Sequence, residues 1–237
     1  MKNLFIFLFI MMIFGCTKES QVIQNETNPK TNKPVKSYTY LALGDSYTIG
    51  ESVSADASFP FQLIAALKTD TTLVETPKII AKTGWTTDEL ITAIKSTTLQ
   101  PKYDFVTLLI GVNNQYRNFD TVVYRKEFKE LLQTAIKYAG DKTENVFVLS
   151  IPDWGVTQFA KNSRRDVAKI SAEIDFYNAI NKEETAKTKA IYLDITPISR
   201  EATNNLNLIA NDGLHPSAIM YGRWVSGLAQ LVRVKLK

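Results

Sequence analysis

Phe105-Val106-Thr107-Leu108-Leu109-Ile110 is apolar nearly throughout, with none of the polar alternation of a strand that has one wet face. A strand buried on both sides reads this way, and such strands belong to parallel sheets covered by helices. Four more short apolar runs share the chain, at residues 38–43, 78–81, 146–151 and 190–193. Helix-length amphipathic stretches separate them. One opens near Pro60 and sets Leu63, Ile64 and Leu67 on one face. A second is announced by Thr86 and Glu89 at capping-box spacing. A third carries Tyr124, Phe128, Leu131, Leu132, Ala135 and Ile136 as a single stripe ended by Gly140. A fourth, within 163–184, carries Ile170, Ile174, Tyr177 and Ile180. The last is opened by Pro216 and striped by Met220, Trp224, Leu228, Leu231 and Val232. Strand and helix in alternation predict one α/β domain over 38–237, a three-layer α/β/α sandwich on a five-stranded parallel sheet. No internal repeat or shift in composition marks a second domain.

The composition removes several function classes. At 45% hydrophobic and 22% charged residues the chain is neither disordered nor collagen-like. A net charge of +4, without long blocks of one sign, gives no footprint for nucleic acid. One cysteine cannot form an internal disulfide, and one histidine cannot build an ordinary zinc site.

The start of the chain has its own logic. Lys2 precedes an unbroken apolar run over residues 4–14. Eleven residues at 1.5 Å each cover about half of a ~30 Å hydrocarbon core, so the run suits a signal peptide and not a membrane span. It ends in Ile13-Phe14-Gly15-Cys16, which resembles the bacterial lipoprotein signal, a small residue followed by the cysteine that is acylated. Phe14 is bulkier than that pattern usually carries before the glycine. The expected arrangement is a signal peptide at 1–15, a lipid on Cys16 and a flexible polar tether over 16–37. The domain would then be held at a membrane surface in the bacterial cell envelope.

In parallel α/β sheets, ligands meet the loops beyond the carboxyl ends of the strands. Those loops hold Gly44-Asp45-Ser46, Thr83-Gly84-Trp85, Gly111-Val112-Asn113-Asn114, Pro152-Asp153-Trp154 and Asn211-Asp212-Gly213-Leu214-His215-Pro216. A serine hydroxyl is a poor nucleophile until a base takes its proton. The sole histidine, His215, is the base available to Ser46, and Asp212 three residues earlier can reach one imidazole nitrogen and leave the other for the serine. Ser, Asp, His is one of several chain orders that converge on the same geometry.

Leu43-Gly44-Asp45-Ser46, Gly84, Gly111-Val112-Asn113 and Asp212-Gly213-Leu214-His215-Pro216, in that order, resemble the four sequence blocks of the SGNH (GDSL-type) hydrolases. The resemblance covers about residues 38–236. It implies a flavodoxin-like fold and a carboxylic ester hydrolase that needs no metal or organic cofactor. It makes Ser46 the acylated nucleophile, with Asp212 and His215 completing the triad. The oxyanion would be met by the N–H groups of Ser46 and Gly84 and by the Asn113 side-chain amide. Tyr47 stands where the family pattern has leucine, and Asn114 where the third block often has aspartate. No Gly-x-Ser-x-Gly elbow places the serine mid-chain, as it would in ordinary α/β-hydrolases. Asp45 is expected to fix its loop through backbone hydrogen bonds. Trp85, Tyr47, Tyr116 and Trp154 are candidates for a cleft lining or for plain packing. The expected substrates are O-acylated carbohydrates or lipid esters. The competing reading is a non-catalytic envelope lipoprotein that keeps the fold to bind a glycan.

Overall fold

The structure, a computed structural model, describes residues 34–236. Along the chain lie β1 (Lys36–Tyr38), β2 (Tyr40–Gly44), α1 (Ser46–Ile49), α2 (Phe59–Leu67), β3 (Thr72–Val74), β4 (Lys78–Ala81), α3 (Thr87–Ser96), β5 (Phe105–Leu109), α4 (Val112–Tyr116) and α5 (Thr121–Tyr138). Then follow β6 (Val146–Leu149), α6 (Gln158–Asn162), α7 (Val167–Thr188), β7 (Ile191–Leu193), α8 (Thr196–Arg200) and α9 (Ala218–Lys235).

Five strands form one parallel sheet in the order β4-β2-β5-β6-β7. β5 lies at its centre with all five residues buried, as its unbroken apolar sequence requires. α2 packs on α9, while α5 packs on α3 and on α7. Right-handed crossovers put the first pair on one face of the sheet and the other three helices on the opposite face. The result is the expected three-layer sandwich. β2 is the first strand of the sheet, and the chain leaves it in one direction to β4 before crossing back to β5. The crevice of a doubly wound sheet opens at that reversal, and Gly44-Asp45-Ser46 sits there.

The structure moves three sequence-based boundaries. Lys36 and Ser37, assigned to the tether, belong to the domain: β1 pairs in parallel with β3 as a small second sheet, Lys36 opposite Thr72 and Tyr38 opposite Val74. A three-residue strand is too short to show a period, so polar neighbours hid it. β3 and β4 are two strands separated around Pro77, where the sequence predicts a single strand at 78–81. α9 begins at Ala218 and not at Pro216. The Ser217 side chain caps it by accepting from the Met220 N–H, while Pro216 bridges to Ile209. The signal segment, Cys16 and most of the tether lie outside the described residues. Among the described residues no helix is long and apolar enough to cross a membrane.

Candidate active site

The site is built where β2 ends. Gly44 is packed so tightly that a Cβ would run into the Thr48 hydroxyl and the Leu109 carbonyl, so only glycine lets the chain turn here. Asp45 is fully buried and caps α1, its Oδ1 accepting the Tyr47 N–H at 3.0 Å. That is the loop-fixing role expected of it. Among the described residues, its other oxygen has no hydrogen-bond partner. Burial pushes the carboxyl up to about 7, against the pull of its backbone hydrogen bonds.

Ser46 opens α1, and His215 reaches it from the loop before α9. His215 Nε2 lies 3.0 Å from Ser46 Oγ, and Nδ1 lies 2.5 Å from Asp212 Oδ2. An imidazole protonated on Nδ1 donates to Asp212 and leaves Nε2 to accept the serine O–H. Asp212 is saturated with donors. Oδ1 accepts the N–H groups of Leu214 and His215 at 2.9 and 3.0 Å, and Oδ2 accepts Ser52 Oγ at 2.7 Å besides the imidazole. Partial burial would raise its pKa. The hydrogen bonds from His215, Ser52 and the two backbone groups outweigh that and hold it at about 2. Tyr47, which replaces the leucine of the family pattern, sets its ring edge-on against His215 at 5.7 Å between centroids.

The remaining predicted site residues gather at the same place. Gly84 and Asn113 line one cleft with Ser46 and His215. Gly84 holds φ at +84°, a conformation natural to glycine. Among the described residues, the N–H groups of Ser46 and Gly84 are taken by no other protein group. The Asn113 amide donates one N–H to the Trp85 carbonyl at 3.0 Å, which fixes the side chain beside Gly84 and leaves its second N–H for a ligand. The cleft measures about 180 Å³, and its walls are largely aromatic: Tyr47, Tyr116, Trp154 and Phe159, with Leu214. Trp154 is itself buried, tied through its indole N–H to Gln115 at 2.7 Å. Trp85 contributes its backbone to the site and does not line the cleft.

Sequence reasoning missed Phe159 and Ser52, and it placed Thr83 and Leu214 on ligand-facing loops without giving either a role. Phe159 and Ser52 have no spacing signal, because each is brought in by a separate loop. Asp153, noted only as a loop residue, is buried and pairs with Arg200 at 2.9 Å. Among the described residues no cluster of three or more histidine, cysteine, aspartate or glutamate side chains is placed to hold a metal ion.

A serine, a histidine and an aspartate in one hydrogen-bonded line, beside unpaired N–H groups on a doubly wound α/β sheet, form the arrangement that serine hydrolases use. Residues 42–223 match the GDSL-like lipase/acylhydrolase family, so the chain belongs to that family and is a carboxylic ester hydrolase. Solved structures share the fold. A lipase/acylhydrolase from Enterococcus faecalis aligns with a TM-score of 0.62 at 22% identity, over 84% of this chain and 97% of its own. A member of the lipolytic G-D-S-L family from Veillonella parvula gives 0.63 at 17% identity, over 85% and 100%. An acetyl xylan esterase from Geobacillus stearothermophilus gives 0.59 at 18%, over 84% and 96%. No curated protein matches the sequence.

Proposed function

We propose that the protein hydrolyses esters through an acyl-enzyme on Ser46. The observation that carries this reading is the unbroken line from Asp212 through His215 to Ser46, ending in a cleft edged by Gly84 and Asn113. Neutral His215 takes the Ser46 proton at Nε2 as Oγ bonds to the ester carbonyl carbon. The carbonyl oxygen becomes an oxyanion, met by the N–H groups of Ser46 and Gly84 and by the free Asn113 N–H. One such donor contributes about 3–4 kcal/mol to the transition state. Asp212, ionised across the neutral range, stabilises the imidazolium. His215 then gives its proton to the alcohol oxygen as the carbon–oxygen bond breaks. Water repeats the sequence, releasing the acid and restoring Ser46.

The substrates are O-acylated carbohydrates or lipid esters. The short, aromatic-walled cleft supports a compact acyl group or an apolar face of a sugar, and an acetyl xylan esterase is among the structural neighbours. A lipid on Cys16 would hold the domain at an envelope membrane, within reach of either substrate class. Support for the anchor is the Gly15-Cys16 junction behind its apolar run.

Rates on p-nitrophenyl esters from acetate to palmitate, with Ser46→Ala as control, test the reading. Turnover that depends on Ser46 supports it, and rates confined to short chains favour a compact acyl group over a lipid ester. Turnover that survives Ser46→Ala overturns it. Labelling cells with a clickable fatty acid tests the anchor: wild type should be marked and Cys16→Ser should not.

A further inference from the structure

We propose that Ser52 is a positioning residue for catalysis, its hydroxyl holding the Asp212 carboxylate in the orientation that His215 needs. This rests on the triad reading and adds a fourth member to its hydrogen-bonded line. Nothing in the sequence blocks of the family points to this position, which lies six residues past the serine in the loop after α1.

Three observations carry it. Ser52 Oγ donates to Asp212 Oδ2 at 2.7 Å, to the same oxygen that receives His215 Nδ1. The two donors together fix where that oxygen's charge lies, and Ser52 does so across 160 residues of chain. The second observation is conformational. Ser52 has φ of +67°, a left-handed backbone that is unfavourable for a residue with a Cβ and persists only where the surroundings impose it. Gly50 just before it is also left-handed, and the Val53 N–H closes back on the Gly50 carbonyl at 3.2 Å. The turn that results aims the hydroxyl at the carboxylate.

The third observation is that the same turn is pinned on its other side. The Thr83 hydroxyl donates to the Glu51 carboxylate, and Thr83 precedes Gly84, the proposed oxyanion donor. Neighbouring residues of one loop therefore hold the base side of the site through Ser52 and the oxyanion side through Glu51. Ser52 touches no reacting atom. Its effect passes through Asp212.

Two consequences follow from the chemistry. Without the Ser52 donor, more of the carboxylate charge is left to the imidazolium, so the acid limb of kcat/KM moves to higher pH. The carboxylate is also freer to turn away from Nδ1, so kcat falls. Hydrogen bonds to a charged group are among the stronger ones, but water reaches this one, so the fall is about 3- to 10-fold.

The experiment compares Ser52→Ala, Ser52→Gly and His215→Ala in the full chain, reading kcat, KM and the pH profile on p-nitrophenyl acetate, with thermal melts as a check on folding. Glycine relieves the left-handed strain and alanine does not, yet both lack the hydroxyl. The expected result is a similar loss of kcat and a similar upward move of the acid limb in both, with KM little changed. If Ser52→Gly keeps wild-type kcat and profile, only loop conformation matters and the proposal is overturned. Wild-type behaviour in both variants overturns it too, while a dead His215→Ala in that same series leaves the triad standing. Turnover retained by His215→Ala would remove the triad reading and this inference with it.

Discussion

Asn114→Asp would restore the residue common in the third block of the family, yet it should destabilise this protein. Asn114 and Thr87 are fully buried. The Asn114 carbonyl oxygen accepts the Thr87 N–H at 3.1 Å, and its amide donates to Thr87 Oγ1 at 2.7 Å. Thr87 Oγ1 then donates its single proton to Glu127. An aspartate has no proton to give Thr87, so two carboxylates would compete for one hydroxyl. One hydrogen bond is lost, at about 1 kcal/mol, and an acceptor is left unpaired in a buried place, at about 1–3 kcal/mol. The expected cost is about 3 kcal/mol. Glu127→Gln alone keeps an acceptor for Thr87 and should cost under about 1 kcal/mol. In the double variant, the introduced aspartate takes the Thr87 proton and the introduced glutamine donates its amide N–H to Thr87 Oγ1, so every group is paired again. Urea unfolding of the four proteins should give a coupling energy of about 3 kcal/mol, with the double variant close to wild type. Additive losses, within about 0.5 kcal/mol, would refute this account of Asn114.

Other outcomes follow from the same structure. Asp45, pushed up to about 7, binds its proton more tightly folded than unfolded. Its contribution to stability is therefore complete below the ordinary value of about 3.9 and is lost as pH rises through about 7. Asp45→Asn should gain Tm relative to wild type as pH is raised from about 4 to 7, whereas a constant offset would contradict the burial argument. Asp212 has the opposite sign: its stability is present above about 3.9 and lost as pH falls through about 2. Asn113→Ala should lower kcat by about 10²-fold with little change in Tm, and an effect confined to KM would speak against an oxyanion role. Removing residues 1–33 should leave Tm and ester turnover unchanged, while removing 1–38 deletes β1 and should lower Tm.

The sheet was legible because burial on both faces forces a strand such as 105–109 to be continuously apolar, and helices that cover it must be striped. The hydrogen-bonded line of Ser46, His215 and Asp212 was legible for a different reason. A sole histidine three residues after an aspartate leaves few partners for Ser46, and the glycine and asparagine blocks fall on the loops where such a sheet presents ligands. β1 and β3 were not legible, since strands of three residues carry too few side chains to show alternation. Ser52 and Glu51 were hidden because their roles depend on a left-handed turn, and serine is not the residue that announces one. Phe159 and Leu214 reach the cleft only after α6 and the His215 loop have folded over it. The pairing of Asn114 with Thr87 and Glu127 joins three segments and has no local signature.

The central claim is that Ser46 is acylated with His215 as its base. The direct measurement is the intact mass of the protein after treatment with diethyl p-nitrophenyl phosphate, followed by peptide mapping. A single diethylphosphoryl adduct on Ser46, absent in Ser46→Ala and formed far more slowly in His215→Ala, is the expected result. An unmodified Ser46, in a protein that loses its ester turnover to the reagent or carries the adduct at another residue, would contradict it.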